Sequence, residues 1–380
     1  MWPKTKLTEA LGIEYPIVLA PMTLAITNEI IATPALVAAV SNKGGLGIFG
    51  AGVLEPEELR TNIRQIAKLT DKPFGVNLLV PYDHGMSDKQ VLQRKVEVSR
   101  KLLLKVAVDQ GILDTEPPQK KRRVDLTSQM FPYFAEKLDV CIQEKVPVVQ
   151  FSFGIPSFKA ILKCKKNDIM ILGTCTCVKE AKMFENAGAD VLVVQGLEAG
   201  GQRAVFLADE FKETNMLGHF VLVPLVRKEL PQVPIIACGG IMDGRSILAS
   251  CILGADGVMM GTAFMEADES GLQDSYKKVL KEEQVSTVLT RSFTGRPARA
   301  LANQYVQQAD ANSVDIPLFP VQHNLCMNIM REAASRGNAM VAPIFVGQGF
   351  KDCRRAPADE IFSELTTQVE TLKQQILDTP

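Results

Sequence analysis

Histidine is scarce in this 380-residue chain: His84, His219 and His323 are the only three. A His-rich metal centre is therefore not expected. The eight cysteines, at 141, 164, 175, 177, 238, 251, 326 and 353, form no Cys-x-x-Cys pair, which argues against a zinc site. An excess of positive charge is also missing, because 42 Lys and Arg face 43 Asp and Glu for a formal charge of −1. A nucleic-acid binder needs a basic face to displace counterions, so this balance argues against one. No apolar run reaches the roughly 18 residues of a spanning helix. The N-terminal stretch Met1–Pro16 has no long apolar segment behind its lysines, unlike a secretory signal. Thiols inside apolar runs, such as Cys238 after Ile235-Ile236-Ala237, fit a reduced, cytoplasmic chain. What is present is an ordinary globular mixture, 46% apolar and 22% charged, which excludes disorder over most of the chain.

The dominant pattern is alternation. Short β-rich runs bounded by Gly, Pro or Asp predict strands at Tyr15–Ala20, Leu46–Phe49, Phe74–Leu79, Pro147–Phe151, Asp168–Leu172, Val191–Val194, Pro234–Ala237 and Gly257–Met260. Helical stretches separate them, at Pro34–Lys43, Glu55–Leu69, Ser87–Gln110, Phe131–Lys145, Ser157–Lys166, Val178–Ala187, Gly218–Glu229 and Gly244–Leu253. Parallel neighbours need crossover helices, and eight is the number of strands that closes a (β/α)8 TIM barrel over about 250 residues. An open doubly wound sheet is the alternative. It calls for a glycine fingerprint after its first strand, whereas Gly44-Gly45-Leu46-Gly47 precedes one.

The barrel is thus placed at residues 1–265. Its third and fourth strands lie too far apart for one helix, which marks a loop insertion around 111–130. That insertion carries Lys120-Lys121-Arg122-Arg123, read as a solvated loop rather than a nuclear or polyanion signal. Residues 266–380 are expected to form a smaller, mostly helical C-terminal domain, with helices at Ser270–Glu283 and Glu360–Leu377 and with 340–350 returning to the barrel mouth.

In a TIM barrel the residues that end each strand build the active site. Here these are Ala20-Pro21-Met22-Thr23, Asn77, Gln150, Gly173-Thr174, the run from Gln195 and Gly196 through Ala199, Gly200 and Gly201 to Gln202, Cys238-Gly239-Gly240, and Met259-Met260-Gly261-Thr262. Glycine turns let backbone amides approach a phosphate, and the turns after the seventh and eighth strands are the usual phosphate position in this fold. Asn77, Gln150 and Gln195 are neutral amides that both donate and accept, which suits a flat heterocycle with imide and carbonyl groups. Each has a plainer reading: Asn77 as a cap or loop tie, Met22 and Met260 as core, a Gly-Gly pair as a turn, Asp243 as the N-cap of the next helix. His84 follows the third strand and approaches the mouth in one reading, and is a solvated loop residue in the other. Cys175-Thr176-Cys177 opens a helix, where thiol pKa values fall, but packing is the simpler account.

Taken together these segments resemble the flavin-dependent nitronate monooxygenases over nearly the whole chain. The likeness runs through Ala20-Pro21-Met22, Gly44-Gly45-Leu46-Gly47, Pro73-Phe74-Gly75-Val76-Asn77, Gln195-Gly196-x-Glu198-Ala199-Gly200-Gly201, Ala237-Cys238-Gly239-Gly240-Ile241, Gly254–Thr262, Gly295-Arg296-Pro297-Ala298-Arg299 and Gly347-Gln348-Gly349. It implies non-covalent FMN, with the isoalloxazine near Met22, Asn77, Gln150 and Gln195 and the phosphate on Gly201, Gly240, Gly261 and Thr262. Gln348 is carried over as a further cofactor contact. Partners implied are a small nitronate and O2, with the chain a monomer or homodimer. Flavin-dependent enoyl-ACP reductases and some NADH:quinone reductases share the glycine segments. An NAD(P)H-dependent reductase is therefore the first alternative, and a non-catalytic FMN-binding protein the second. One departure matters. The family continues its Glu-Ala-Gly-Gly segment with a His regarded as the active-site base or donor, and this chain has Gln202. Glutamine takes up no proton at neutral pH but still donates a hydrogen bond. A nitronate has already lost its carbon-bound proton and needs no base, so nitronates rather than neutral nitroalkanes are the expected substrates.

Overall fold

Side chains on a strand alternate between its two faces, and in this chain both faces are buried. The computed structural model describes residues 4–24, 26–27, 29–52, 54–81, 89–114, 131, 133–207, 216–311 and 315–378. Eight parallel strands close into a barrel: β1 (Ile17–Leu19), β2 (Leu46–Gly50), β3 (Phe74–Leu79), β4 (Val148–Ser152), β5 (Met170–Cys175), β6 (Val191–Gln195), β7 (Ile235–Cys238) and β8 (Gly257–Met260). Each pairs with its neighbour in sequence, and β8 returns to β1 through Ile17–Val258, Val18–Met259 and Leu19–Met260. The (β/α)8 expectation therefore holds, with every strand where the β-rich runs placed it.

Two apolar layers follow from the alternation. Val18, Leu46, Ile48, Val148, Leu172, Val191, Val193, Ile236 and Met259 form one buried cluster inside the ring. Their sequence neighbours, such as Leu19, Phe49, Val149, Phe151, Ile171, Leu192, Val194 and Met260, join the larger cluster beneath the helices. The inner cluster is completed by Leu7 and Leu11 of α1 (Lys6–Leu11) and by Ile13. This helix was not anticipated, although its signals are present: a Thr5–Thr8 capping box and Gly12 in the left-handed region. It packs at the N-terminal end of β8, where Leu7 meets Gly257.

The crossover helices are α2 (Pro34–Asn42), α3 (Pro56–Leu69), α4 (Lys89–Asp109), α5 (Phe134–Gln143), α6 (Phe158–Lys166), α7 (Val178–Ala187), α8 (His219–Glu229) and α9 (Gly244–Ile252). Asp243 caps α9 as expected, its side chain accepting from the Ser246 amide at 2.8 Å. Beyond the barrel come α10 (Asp274–Leu280), α11 (Gln304–Ala311), α12 (Val321–Ser335) and α13 (Ala358–Asp378). α10 is shorter than the anticipated Ser270–Glu283. Its start is delayed because Gly271 packs directly on the Ile30 carbonyl and donates its amide to the Ile31 carbonyl at 3.0 Å. α13 begins earlier than Glu360 because the Glu269 carboxylate accepts from the Ala358 amide at 2.8 Å.

The region after 266 also holds two strands, Thr287–Thr290 and Ala298–Leu301, where helix was expected to dominate. The second pairs antiparallel with Gly201–Gln202, joining Ala298 to Gln202 and Arg299 to Gly201. α11 and α12 pack on α4, and α13 packs on α2 and α9. The basic run Lys120–Arg123 and His84 lie outside the described residues. Among the described residues no helix is long and apolar enough to cross a membrane.

Gly47 tests the helix-on-barrel packing. A Cβ there would run into the backbone of Val37 in α2, which has no side-chain freedom to yield. Gly47→Ala is expected to cost about 3 kcal/mol, read as a lower urea midpoint with unchanged m-value.

Candidate functional site

The inner layer changes character near the C-terminal ends of the strands. Two residues beyond Val148 stands Gln150, then Ser152; beyond Leu172 stands Thr174; beyond Val193, Gln195; beyond Ile236, Cys238; beyond Gly75, Asn77. These positions continue the inward-facing series, so their side chains meet above the apolar plug and line one cavity of about 450 Å³. That is a usual size for a cofactor or small-molecule site. Asn77 Nδ2 donates to Ser152 Oγ at 3.0 Å, and Gln150 Nε2 donates to Thr174 Oγ1 at 2.8 Å. The two hydroxyls of Ser152 and Thr174 are 3.1 Å apart. Gln150 Oε1 is buried with no partner among the described residues. An amide end left unpaired in a cavity wall costs free energy until a ligand pairs it.

Ala20, Pro21, Met22, Thr23, Ala199, Gly200, Gly201, Gln202, Gly239, Gly240, Met259, Gly261 and Thr262 border the same cavity. The glycine turns converge. Gly239 lies against Ala199, Gly240 against Glu198, and Gly200 against Val346 and Gly347. The Gly347 amide donates to Thr262 Oγ1 at 2.9 Å, which brings the segment around 347 onto the turn after β8. Gly239 and Gly240 have φ of 116° and 70°, conformations that favour glycine. Two of the first amides of α9 are already taken, Gly244 by the Gln368 side chain and Ser246 by Asp243. A phosphate here would rest on the glycine turns.

Three anticipated residues lie outside the cavity lining. Met260 is on the outward face of β8 and packs under the helices. Gly196 is walled off by Glu198 and the start of α8. Gln348 instead uses its backbone amide to bond the Glu198 carbonyl at 3.0 Å.

The loop carrying Gln202 is fixed from behind. Arg203 is fully buried and donates from Nη1 to the carbonyls of Gln195 at 2.9 Å and Gly196 at 2.5 Å. Arg296, also buried, donates to the carbonyls of Arg203 (3.1 Å) and Val205, and its guanidinium lies 4.0 Å from the centroid of the Phe153 ring. Glu180 accepts from the amides of Thr176 (2.7 Å) and Phe206 (2.8 Å); burial raises its pKa. The Gln195 side chain is committed to this loop too, accepting from Ala204 and donating to the Gln202 carbonyl. Glu198 accepts from the His219 amide at 3.0 Å, with His219 Nδ1 3.3 Å away. Burial pushes the Glu198 pKa up, but these His219 interactions outweigh it and hold it below the usual range.

Several wall residues escaped the sequence reading. Lys137 on α5 is buried and donates to the carbonyls of Ala51 at 3.2 Å and Gly52 at 3.1 Å. Burial, opposed by Glu55 and Glu58, lowers its pKa to about 8. Its signal was a lysine in the apolar stripe of α5 between Phe134 and Cys141. His323, Asn324, Met327 and Arg331 of α12 form a further wall, and the rings of Phe131, Phe153 and Phe319 stack beside it. Among the described residues the eight cysteines form no disulfide, burial raises the Cys175 pKa well above normal, and Cys177 caps α7.

A closed parallel barrel with an amide-lined mouth and converging glycine turns defines a cofactor-holding barrel enzyme. The nitronate monooxygenase family profile matches residues 4–368. A protein of Staphylococcus saprophyticus named "Probable nitronate monooxygenase" is 38% identical over 345 residues, covering 90% of this chain and 91% of its own length. One of the same name from Staphylococcus haemolyticus is 36% identical over 375 residues, covering 98% and 99%. The solved structure of nitroalkane oxidase from Streptomyces ansochromogenes superposes with a TM-score of 0.85 at 31% identity, covering 97% of this chain and 99% of that one. The chain belongs to the nitronate monooxygenase family and is a flavin-dependent oxidoreductase.

Glu198→Gln is expected to remove about 2 kcal/mol of unfolding free energy, the scale of hydrogen bonds to a charged group. Because the folded-state pKa is depressed, the wild-type contribution is present above the unfolded carboxylate pKa and is lost as pH falls through the folded value. Urea unfolding from pH 7 down to pH 3 should show a shallower acid-side loss in the variant.

Proposed function

We propose that this enzyme uses FMN to oxidise alkyl nitronates with molecular oxygen, and that it acts weakly on neutral nitroalkanes. The observation carrying the substrate preference is that Gln202, at the position where the resemblance implies a histidine, borders the cavity. Its amide donates to the nitronate oxygens and orients them; it has no means of accepting a carbon-bound proton. Among the other described ionisable groups bordering the cavity, Glu55 sits at the N-cap of α3. Lys137 is tied to two carbonyls, and burial raises the Cys238 thiol to about 12.

The fit to FMN rests on two features. The unpaired end of Gln150, above the apolar floor, suits a ring with an imide N–H and carbonyls. The turns at Gly200-Gly201, Gly239-Gly240 and Gly261-Thr262 gather on one side of the cavity, which suits a single phosphate. When bound, the flavin supplies the electron acceptor that hands electrons on to oxygen. The protein's part is to hold the substrate's planar head against the ring and to exclude water with the apolar side chains of Met22, Leu24, Ile31, Phe345 and Met265.

Oxygen uptake should be fast with freshly pre-ionised propionate-3-nitronate and at least tenfold slower with the neutral acid; equal rates would refute the proposed role of Gln202. Gln202→His should raise kcat/KM on the neutral form roughly 10- to 100-fold, within the range of general base catalysis. Anaerobic mixing with NADPH should leave the flavin absorbance unchanged; rapid bleaching would move the assignment to a reductase.

A further inference from the structure

α12 presents His323, Asn324, Met327 and Arg331 along one stripe of the cavity wall. His323 is the only described histidine bordering the cavity, and nothing in the reaction as derived so far uses it. Its Nδ1 is buried and has no hydrogen-bonding partner among the described residues. The Phe319 ring meets the imidazole edge-on, with centroids 5.6 Å apart at 64°.

These facts decide where the ring keeps its proton. An N–H at Nδ1 would be a buried donor without an acceptor, which is costly. A bare lone pair there costs less, so the proton of the neutral ring sits on Nε2, the nitrogen left for the cavity. Adding a second proton would force one onto Nδ1. Burial first, and the positive charge of Arg331 second, push the imidazole down to about 4. The other ionisable described groups bordering the cavity are Glu55, Tyr133, Lys137, Cys238 and Arg331. A ring held neutral at physiological pH is a weak base but a competent donor.

We propose that His323 is a substrate-binding residue that donates a hydrogen bond from Nε2 to an oxygen of a planar anionic head group, and that it is not a base. The identity of that anion as a nitronate rests on the function proposed above; the donor role does not. Gln202 and His323 would then supply neutral donors from two distant parts of the chain to one delocalised oxyanion. The exposed guanidinium of Arg331, two turns along the same helix, would favour entry of anions.

Three histidines make the test direct. Long-range 1H–15N spectra of the flavin-loaded enzyme, assigned with His323→Gln, should show His323 as the neutral Nε2–H tautomer from pH 5.5 to 8. Butyrate, an unreactive carboxylate similar in shape to propyl nitronate, should shift the His323 nitrogen signals on titration. Titration near pH 6.5, an Nδ1–H tautomer or no response to saturating butyrate would each overturn the proposal. In kinetics, His323→Phe should raise KM for the nitronate at least tenfold with a smaller change in kcat, and His323→Gln, which keeps a donor, should recover most of the loss. A Phe variant indistinguishable from wild type would also overturn it. If the spectra behave as expected but wild-type enzyme turns over no nitronate, the substrate reading fails and the donor assignment stands.

Discussion

The inward face of a closed strand ring imposes the central constraint on this molecule. Every second residue of each strand must point into a space already filled by its counterparts from the other strands. Val18, Ile48, Val148, Leu172, Val193, Ile236 and Met259 fill it with carbon. Polar side chains are tolerated only where that packing ends, near the C-terminal rim. There they must bond one another or a ligand, because water is largely excluded. Asn77, Gln150, Ser152 and Thr174 satisfy most of their capacity mutually, and Gln150 Oε1 is left buried without a partner among the described residues. The site is thus the upper boundary of the core, and its polarity is a consequence of where the core stops.

A rim alone does not hold a loop in place. The segment from Gly196 to Leu207 is irregular backbone beside the cavity, and its carbonyls and amides need partners. Arg203 and Arg296 supply donors to the carbonyls while Glu180 accepts from the amides. Buried charges are costly when isolated, yet each here is surrounded by the backbone dipoles it satisfies. The strand pairing of Gln202 with Ala298 adds a further constraint from a distant part of the chain. The side chain at 202 is consequently presented by a rigid support, which is what a donor needs if it is to orient a small substrate.

The barrel was legible because its strands are buried on both faces and therefore read as β-rich runs with clear punctuation. The rim residues were legible for the same reason, since each falls at the end of such a run. What was not legible depends on distant contacts. Nothing near Ser270 announces that Gly271 will press on the Ile30 carbonyl and shorten α10. Nothing around Gly201-Gln202 signals a strand, because its partner lies almost a hundred residues away. His323 sits on a helix whose main buried stripe runs through Gln322, Cys326, Met330 and Ala333, and only the placement of α12 against α4 turns its other face to the cavity. Met260 is a different case. Strict alternation from Met259 already sends it outward, so the adjacency of the two methionines in one motif was the weaker guide.

The proposed role of Gln202 as a donor rather than a base has a physical logic that extends beyond one residue. A base at a flavin site must be charged in one half of its cycle, and a charged imidazole needs an acceptor or a counterion close by. The described ionisable groups bordering the cavity include the cations Lys137 and Arg331, the neutral His323 and one carboxylate, Glu55. An imidazolium formed in that setting would be disfavoured, as the low pKa of His323 itself illustrates. Glutamine avoids the conflict. It donates without titrating, which under the proposed function suits a substrate that arrives with its negative charge already in place. Under the same proposal a neutral nitroalkane is limited by chemistry rather than by binding, since the missing element is somewhere to put a proton.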